Sequence, residues 1–220
     1  LRDRGYRDLT VADGSNVGVE RRGIDVHRRL CVDRVLARHG VRWVDLNRDT
    51  GVVTSLEVGG RSAIASTVLD ADLYLSLPKI KTHVEARLSC ALKNQVGICV
   101  AQDKRHMHLD LGRNILALGR KVRPHLVLVD GLVGMENNGP GDGDPARIGL
   151  LAMCDDPFLN DLAVARLVGF DWRDVPYLQL AVEQGVVAEA LAAEVVSRLP
   201  VVRPLVPPPP RGALARLADH

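Results

Sequence analysis

The chain has 220 residues, 46% of them hydrophobic, so it is long enough to bury a core as one domain of ordinary to large size. A net charge of +2 and an aromatic content of 3% argue against nucleic-acid binding and against platforms for stacked bases. No apolar run approaches the length of a membrane span, so we expect no membrane partner.

Cysteine usage bears on the compartment. The cysteines are far apart and form no C-x-x-C pair, a spacing that suits neither a zinc site nor a local iron–sulfur motif: Cys31, Cys90, Cys99 and Cys154. We interpret each as a small buried residue in a reducing compartment, and we expect a cytoplasmic protein.

The first predicted strand, residues 9–12, leads into a glycine-containing loop, residues 13–18. Ligands often bind at such strand ends in α/β folds, so Ser15 and Asn16 are candidates for ligand contacts. The alternative is that both residues only form the turn. The loop does not match G-x-G-x-x-G, so a dinucleotide site is not predicted.

Helices and strands then alternate. Apolar residues at helical spacing predict a helix over residues 24–39, with Gly40 as its stop signal. A strand is predicted over residues 41–46, a strand or hairpin over 52–58, and a short helix over 63–69. This alternation favours an α/β domain.

The most informative stretch is residues 71–97. A short apolar strand over residues 73–77 ends at Pro78, because proline has no N–H to donate to a sheet. If the next segment is extended, side-chain alternation places Lys79, Lys81 and His83 on one side of it.

A helix is predicted directly after this segment. Thr82 and Glu85 match a capping box, and apolar residues follow at helical spacing until Lys93 and Asn94. Free N–H groups at a helix start, together with local positive charge, make an anion site. We assign to it Lys79, Lys81, Thr82, Lys93 and Asn94.

Lysine usage favours the same site. Of the 29 Lys and Arg residues five are lysine, and three of these five lie within residues 71–97. Lysine supplies a compact ammonium group on a flexible stem, which suits anion binding. The alternative is a solvated turn with ordinary surface lysines.

Basic residues crowd into the segment over residues 98–110: Lys104, Arg105, His106 and His108. Three interpretations remain open, namely metal ligands, a flexible basic loop that closes over an anion, and plain loop or helix-start residues. On the second interpretation, Arg105 and His108 contact the anion.

A helix over residues 109–122 precedes a continuous apolar run, residues 126–129, which is typical of a central parallel strand. The run ends at Asp130, where doubly wound sheets bind ligands. Residues 131–145 contain five glycines and two prolines, and we predict a long functional loop there. Five of its side chains could offer oxygen ligands to Mg²⁺ or Ca²⁺: Glu136, Asn137, Asn138, Asp142 and Asp144. The alternative is that these residues belong to a disordered surface loop.

The last third of the chain contains a strand over residues 148–153 and helices over 157–167, 175–184 and 188–199. Asp156 fits the N-cap position and Pro157 the first turn of its helix. Asp161 lies on or near a packed face and needs a partner: an arginine, a metal or a substrate group. The proline-rich run from residue 200 predicts an extended tail over residues 200–220.

Four segments resemble, in order and spacing, the domain of unknown function 362 family: Pro78-Lys79-Ile80-Lys81-Thr82-His83, Ala91-Leu92-Lys93-Asn94, Asp130-Gly131 through Asn138-Gly139-Pro140, and Asp156-Pro157 through Asp161. The resemblance covers residues 5–185. The family usually has glycine where this chain has Asn137. Its full-length members begin with further strands, so we expect native N-terminal strands to precede Leu1.

The resemblance also bears on cofactors. Family members often carry a ferredoxin-like iron–sulfur domain, whereas this chain has no cysteine cluster. We therefore expect no iron–sulfur cluster in this chain, and a redox or iron–sulfur protein is a candidate partner.

The predicted fold is α/β, with a mostly parallel sheet and helices on both faces. We predict a single domain over residues 1–199 and the tail over residues 200–220. The ligand site is expected at the C-terminal strand ends.

The leading functional hypothesis is an enzyme acting on an anionic small molecule that bears phosphate or carboxylate. Acid–base chemistry would use His83, Asp130 and Glu136, and Asn138 would contact the substrate. Metal-assisted chemistry would use Mg²⁺ or another divalent ion, held by Glu136, Asp130, Asp156 and Asp161. The alternative is a non-catalytic module that binds an anion, a metallocofactor or an iron–sulfur cargo.

Overall fold

A computed structural model describes residues 1–209, with the backbone alone for Glu20. The contacts of the chain divide it into two compact units. Unit 1 comprises Leu1–Ser55, Gly60–Ala71 and Gly97–His106, and unit 2 comprises Leu56–Gly59, Asp72–Val96 and the chain from Met107 onward. The interpretation of residues 1–199 as a single domain stays a prediction, and the tail over residues 210–220 lies outside the described residues.

Unit 1 begins with two parallel strands, β1 (Thr10–Asp13) and β2 (Arg42–Asp45), in the register Thr10↔Arg42 to Asp13↔Asp45. Both strands were predicted from their apolar runs and are confirmed to within one residue. Three helices connect them: α1 (Val17–Arg21), α2 (Val26–Arg29) and α3 (Val32–His39).

The prediction of one helix over residues 24–39 is wrong. Cys31 has a φ of +56°, a left-handed conformation that ends α2 before α3 begins. The predicted stop at Gly40 is confirmed, since Gly40 caps α3 with a φ of +57°.

A hairpin completes the regular structure of unit 1. Strands β3 (Gly51–Ser55) and β4 (Arg61–Ala65) pair antiparallel, and α4 (Ser66–Leu69) follows. The strand alternative predicted over residues 52–58 is confirmed as β3, which forms the first arm of this hairpin, and the predicted short helix begins three residues late because residues 63–65 belong to β4.

Unit 2 contains a five-stranded mixed sheet. Its strands are β5 (Leu75–Ser76), β6 (Lys79–His83), β7 (Arg87–Ser89), β8 (Leu126–Asn138) and β9 (Asp142–Cys154). Strand β8 runs parallel to β5 and β6 and antiparallel to β9, and β6 runs antiparallel to β7. The chain is thus α/β, as predicted, and its sheets are small and combine both orientations.

The helix predicted to begin at the Thr82–Glu85 capping box is wrong. Residues 84–86 form the turn of a β6–β7 hairpin, with His83 opposite Arg87. Arg87, the first residue of β7 after this turn, has a φ of +65°, a left-handed conformation. Only residues 91–94 of the predicted helix are helical, as α5 (Ala91–Asn94).

The long loop predicted over residues 131–145 is also wrong, because β8 and β9 run through it as one hairpin. Two of its glycines, Gly134 and Gly139, allow close packing between backbones. A Cβ on Gly134 would lie 2.6 Å from the Ile80 carbonyl oxygen, and one on Gly139 would lie 2.2 Å from the Thr82 carbonyl oxygen. Glycine therefore lets β6 approach β8, and this density of glycine does not indicate disorder here.

The remaining helices belong to unit 2 and match the predictions within two residues: α6 (Leu111–Lys121), α7 (Pro157–Leu167), α8 (Pro176–Glu183) and α9 (Glu189–Arg198). Their buried side chains share the core with Ile80 and Leu88 of the sheet: Ile115, Leu118, Phe158, Leu162 and Leu178. After α9 the described chain is irregular and packs against the end of α7 within unit 2. The Val202 N–H donates to the Leu167 carbonyl, and the Leu205 N–H donates to the Val168 carbonyl.

Candidate functional site

The site is built on the end of β6 and the turn that follows it. His83 is buried, with 3% of its surface exposed, and its Nδ1 accepts hydrogen bonds from the Glu85 and Ala86 N–H groups at 3.1 and 3.2 Å. An imidazole nitrogen that accepts N–H donors carries no proton, so the proton of the neutral ring is on Nε2. The turn thereby fixes both the orientation and the tautomer of His83.

A second histidine lies beside the first. The ring centroids of His83 and His108 are 6.4 Å apart, with 24° between the ring planes. His108 Nδ1 lies 2.6 Å from Glu85 Oε2, and both of these side chains are partly exposed. The structure thus gathers His83, His108 and Glu85 in one place, whereas the sequence indicated Glu85 only as a helix cap.

Lys81 lies on the same face of β6 as His83, because both belong to an extended strand and are two residues apart. It is half-buried, and in register it lies between Ser89 of β7 and Met135 of β8. Thr82 points to the opposite face, where its hydroxyl donates to the Asn137 carbonyl at 2.9 Å. The structure therefore separates Thr82 from Lys81 and His83.

Lys79 and Asp130 form an ion pair. Lys79 Nζ lies 2.7 Å from Asp130 Oδ2 and also donates to the Val133 carbonyl. The hydrogen bond from Lys79 lowers the pKa of Asp130. Both side chains are about half exposed, so the pair contributes about 1 kcal/mol or less to stability. These two predicted site residues therefore pair with each other.

The tip of the β8–β9 hairpin meets the end of β6, where the Val84 N–H donates to the Gly139 carbonyl at 3.0 Å. This contact brings the backbone next to Asn138 beside the His83 turn. Asn138 Oδ1 is buried and has no hydrogen-bond partner among the described residues. A buried acceptor without a donor is costly, so this oxygen suits a water molecule or a ligand.

Glu136 is held by the segment after α9. Its carboxylate accepts hydrogen bonds from Arg203 Nη2 at 3.0 Å and from the Val206 N–H at 2.9 Å. The Asn137 N–H in turn donates to the Val206 carbonyl. Glu136 thus anchors the irregular C-terminal segment to β8.

Asp156 and Asp161 each have a structural partner. Asp156 caps α7 through the Phe158 and Leu159 N–H groups, as predicted, and also contacts Arg123. Asp161 is fully buried, and its oxygens accept from the Ala91 and Leu92 N–H groups at the start of α5, at 2.8 and 3.0 Å. Within residues 1–209, no three His, Cys, Asp or Glu side chains gather as a group that would hold a metal ion.

Burial dominates the electrostatics around Asp161. It raises the pKa of Asp161 to about 6, against hydrogen bonds from Leu92, Asn160 and Ala91 that lower it. The Tyr177 hydroxyl lies 3.2 Å from Asp161 Oδ2, and burial raises the pKa of Tyr177. Burial, assisted by the Asp161 charge, also raises the pKa of Cys90. Asp161 thus fixes the start of α5 from inside the core by accepting its first N–H groups.

The other predicted contacts lie elsewhere. In unit 1, the Ser15 carbonyl accepts from Asn47 and Gln102, while Asn16 Oδ1 accepts from the Gly18 N–H. Arg105 is exposed and pairs with Asp103. On α5 of unit 2, Lys93 is half-buried and Asn94 exposed. The anion-binding roles of these residues stay predictions.

Residues 1–166 match the family described as Domain of unknown function (DUF362). The chain belongs to this family. Its suspected signature segments all lie within the matched region and correspond in unit 2 to β6, α5, the β8–β9 hairpin and the start of α7. Asn137, at the position where the resemblance predicts glycine, has a φ of +63°, a conformation that asparagine and glycine tolerate best.

The Thylakoid-associated protein sll1697 of Synechocystis sp. is 29% identical over 150 residues, which cover 65% of this chain and 46% of that protein. The match therefore spans less than half the length of this relative. No solved structure matches the chain. No helix within residues 1–209 combines the length and apolar character needed to cross a membrane.

Proposed function

We propose that this protein is an enzyme that acts on an anionic small molecule bearing phosphate or carboxylate, with His83 and His108 as the reacting pair. The observation that carries the proposal is the 2.6 Å contact between Glu85 Oε2 and His108 Nδ1, next to the ring of His83. A histidine that a carboxylate orients suits proton transfer near neutral pH, and a second histidine lies beside it here.

His108 is the proposed general base. The Glu85 carboxylate accepts the Nδ1 proton of His108, which leaves the lone pair on Nε2 of the neutral ring. When Nε2 takes a proton from the substrate, the same carboxylate stabilises the imidazolium that forms. Glu85 is thus the positioning residue.

His83 is the proposed hydrogen-bond donor. Its Nδ1 accepts from two backbone N–H groups, so the proton of the neutral ring is on Nε2, and this N–H would donate to the substrate. Lys81, on the same face of β6, supplies positive charge. Together they would stabilise negative charge that develops on the substrate.

Acid–base chemistry is supported better than the metal-assisted alternative. The carboxylates first assigned to proton transfer or to Mg²⁺ are all hydrogen-bonded to other groups of the chain: Asp130, Glu136, Asp156 and Asp161. Oxygen ligands of a divalent cation would have to leave these partners.

A second candidate function is a non-catalytic module that holds an anion, or an iron–sulfur cargo for a redox partner. The pairing of Asp130 with Lys79 and of Glu136 with Arg203 favours it, since neither carboxylate is then available for proton transfer. We also retain the inference of a cytoplasmic location, because the structure shows no disulfide among Cys31, Cys90, Cys99 and Cys154. The name of the Synechocystis relative places that protein at the thylakoid.

The test is a thermal-shift screen of phosphorylated and carboxylated metabolites, followed by ¹H NMR of each stabilising compound. We expect one class to stabilise the wild type and Lys121→Ala equally, and to stabilise Lys81→Ala and His83→Asn much less. Conversion by the wild type, lost in His108→Asn with binding retained, supports the enzyme. Binding without conversion supports the module, and a ligand that binds all variants equally contradicts both.

A further inference from the structure

A second polar cluster lies in unit 1, at the ends of its two parallel strands. β1 and β2 finish side by side at Asp13 and Asp45. The loops that follow, residues 14–16 and 46–48, therefore lie at the same edge of the pair. In open α/β sheets this carboxyl edge is where ligands bind.

Side-chain amides hold the first of these loops in place. Asn47 Nδ2 and Gln102 Nε2 both donate to the Ser15 carbonyl, at 3.0 and 2.9 Å. The Ala101 N–H donates to the Asn47 carbonyl, which ties the segment around residues 101–104 to the same edge. The loop after β1 is thus pre-organised by contacts within unit 1.

The ammonium group of Lys104 lies next to the side-chain amide of Asn47. Its Nζ donates to Asn47 Oδ1 at 2.9 Å and lies 3.5 Å from the Gly97 carbonyl oxygen. A Cβ on Gly14 would come within 3.1 Å of Nζ, so the ammonium group packs against the backbone of the loop.

Among the described residues, Lys104 forms no ion pair with a carboxylate. Its hydrogen-bond partners are neutral oxygens, and Asp13 and Asp45 lie beyond ion-pair distance. Their carboxylates accept from backbone N–H groups of their own loops, those of Gly14 and Asn47. Burial lowers the pKa of Lys104, against the charges of Cys99, Asp13 and Asp45, which raise it.

We propose that Lys104 and the loop after β1 bind the anionic group of a small molecule, a phosphate or a carboxylate. An anion at Nζ would bring a negative charge within hydrogen-bond distance of the lysine, and the side-chain amides of Asn47 and Gln102 hold the lysine and the loop in position for it. This site goes beyond the proposed function, because it lies in unit 1 and uses none of the residues around His83.

The test labels the full chain with pyridoxal 5′-phosphate and borohydride. The aldehyde condenses with the neutral lysine amine, forming a C=N bond and releasing water, and hydride from borohydride then reduces the imine to a secondary amine. The chain has only five lysines, so peptide mass spectrometry resolves each one: Lys79, Lys81, Lys93, Lys104 and Lys121. Labelling of Lys81 reports separately on the site around His83.

We expect Lys104 to be labelled faster than Lys121, and its labelling to be slowed by inorganic phosphate, by succinate, or by both. An anion at about ten times its dissociation constant slows labelling about tenfold. Protection by one anion alone identifies the preferred group.

The variant is Asn47→Asp, which places a carboxylate next to Nζ, supplies a counter-charge internally and removes the Nδ2 donor to the Ser15 carbonyl. We expect it to abolish the protection of Lys104 and to leave the labelling of Lys121 unchanged. Labelling of wild-type Lys104 that is no faster than that of Lys121, or that neither anion slows, overturns the proposal.

Discussion

His83 combines a structural contact with the proposed chemistry, and substitution separates the two. Asparagine retains an acceptor near the position of Nδ1, whereas alanine leaves the Glu85 and Ala86 N–H groups without their partner. We expect His83→Ala to lower the free energy of unfolding by about 1–3 kcal/mol, and His83→Asn by less than about 1 kcal/mol. Urea denaturation measures both, and equal losses would contradict this role of Nδ1.

Asp161 predicts a pH dependence of stability. Its pKa is raised from the ordinary 3.8 to about 6 by burial, so its contribution to stability is fully present below pH 3.8 and is lost as the pH rises through 6. The free energy of unfolding of the wild type, relative to Asp161→Asn, should fall by about 3 kcal/mol over this range. Denaturant titrations of both proteins at several pH values measure it, and a difference that is flat or rises with pH would refute it.

Residues whose role is local were predictable, and residues whose role depends on distant contacts were not. Asp156 and Gly40 were predicted correctly as caps because a cap is set by the adjacent helix end. By contrast, Arg105 was preferred over Lys104 in the basic segment, yet Lys104 contacts Asn47, 57 positions away in sequence. Glu85 was assigned to a helix cap because its contact with His108, 23 positions away, has no local signal.

Among the elements, the β8–β9 hairpin shows how local composition can predict a loop where the chain forms strands. Five glycines over residues 131–145 indicated a loop, because glycine is common in loops and is not expected inside strands. The reason for Gly134 and Gly139 is tertiary, since β6 approaches β8 so closely there that side chains do not fit. Helices α6 to α9 were predicted well, because their helical periodicity or the prolines and caps at their starts are local signals.

This explanation predicts a difference between two glycines of the same hairpin. In Gly134→Ala the new methyl group would lie 2.6 Å from the Ile80 carbonyl oxygen, whereas in Gly141→Ala it would meet nothing within 4 Å. We expect Gly134→Ala to cost about 1–3 kcal/mol of stability and Gly141→Ala less than about 1 kcal/mol. Thermal and urea unfolding compare them, and equal effects would argue against close packing of β6 on β8.

At the scale of the whole molecule, the alternation of apolar runs and helical segments was enough to assign the α/β class. It did not predict the division into two units, because unit 1 and unit 2 are each assembled from segments far apart in sequence. The C-terminal segment illustrates the same limit. Its prolines predicted an extended tail, yet Glu136 of β8 anchors this segment through Arg203 and Val206.

This anchor is testable. The Glu136 side chain is only 13% exposed, and Glu136→Ala would leave Arg203 without its carboxylate and the Val206 N–H without its acceptor. We expect a loss of about 1–3 kcal/mol and faster proteolysis of the chain after α9. Limited proteolysis with mass spectrometry, compared with Glu183→Ala on the exposed end of α8 as the control, measures it. Cleavage at the same rate in both variants would contradict the anchor.

The central claim is that an anionic small molecule binds at His83 and His108 on the end of β6. Side-chain ¹⁵N NMR of the imidazole nitrogens, recorded during titration with inorganic phosphate, tests it most directly. We expect a proton on Nε2 and none on Nδ1 of His83 before titration. Phosphate should then cause saturable changes in the ¹⁵N chemical shifts of His83 and His108 and leave those of His39 and His125 unchanged. Shifts confined to other histidines, or a protonated Nδ1 on His83, would contradict it.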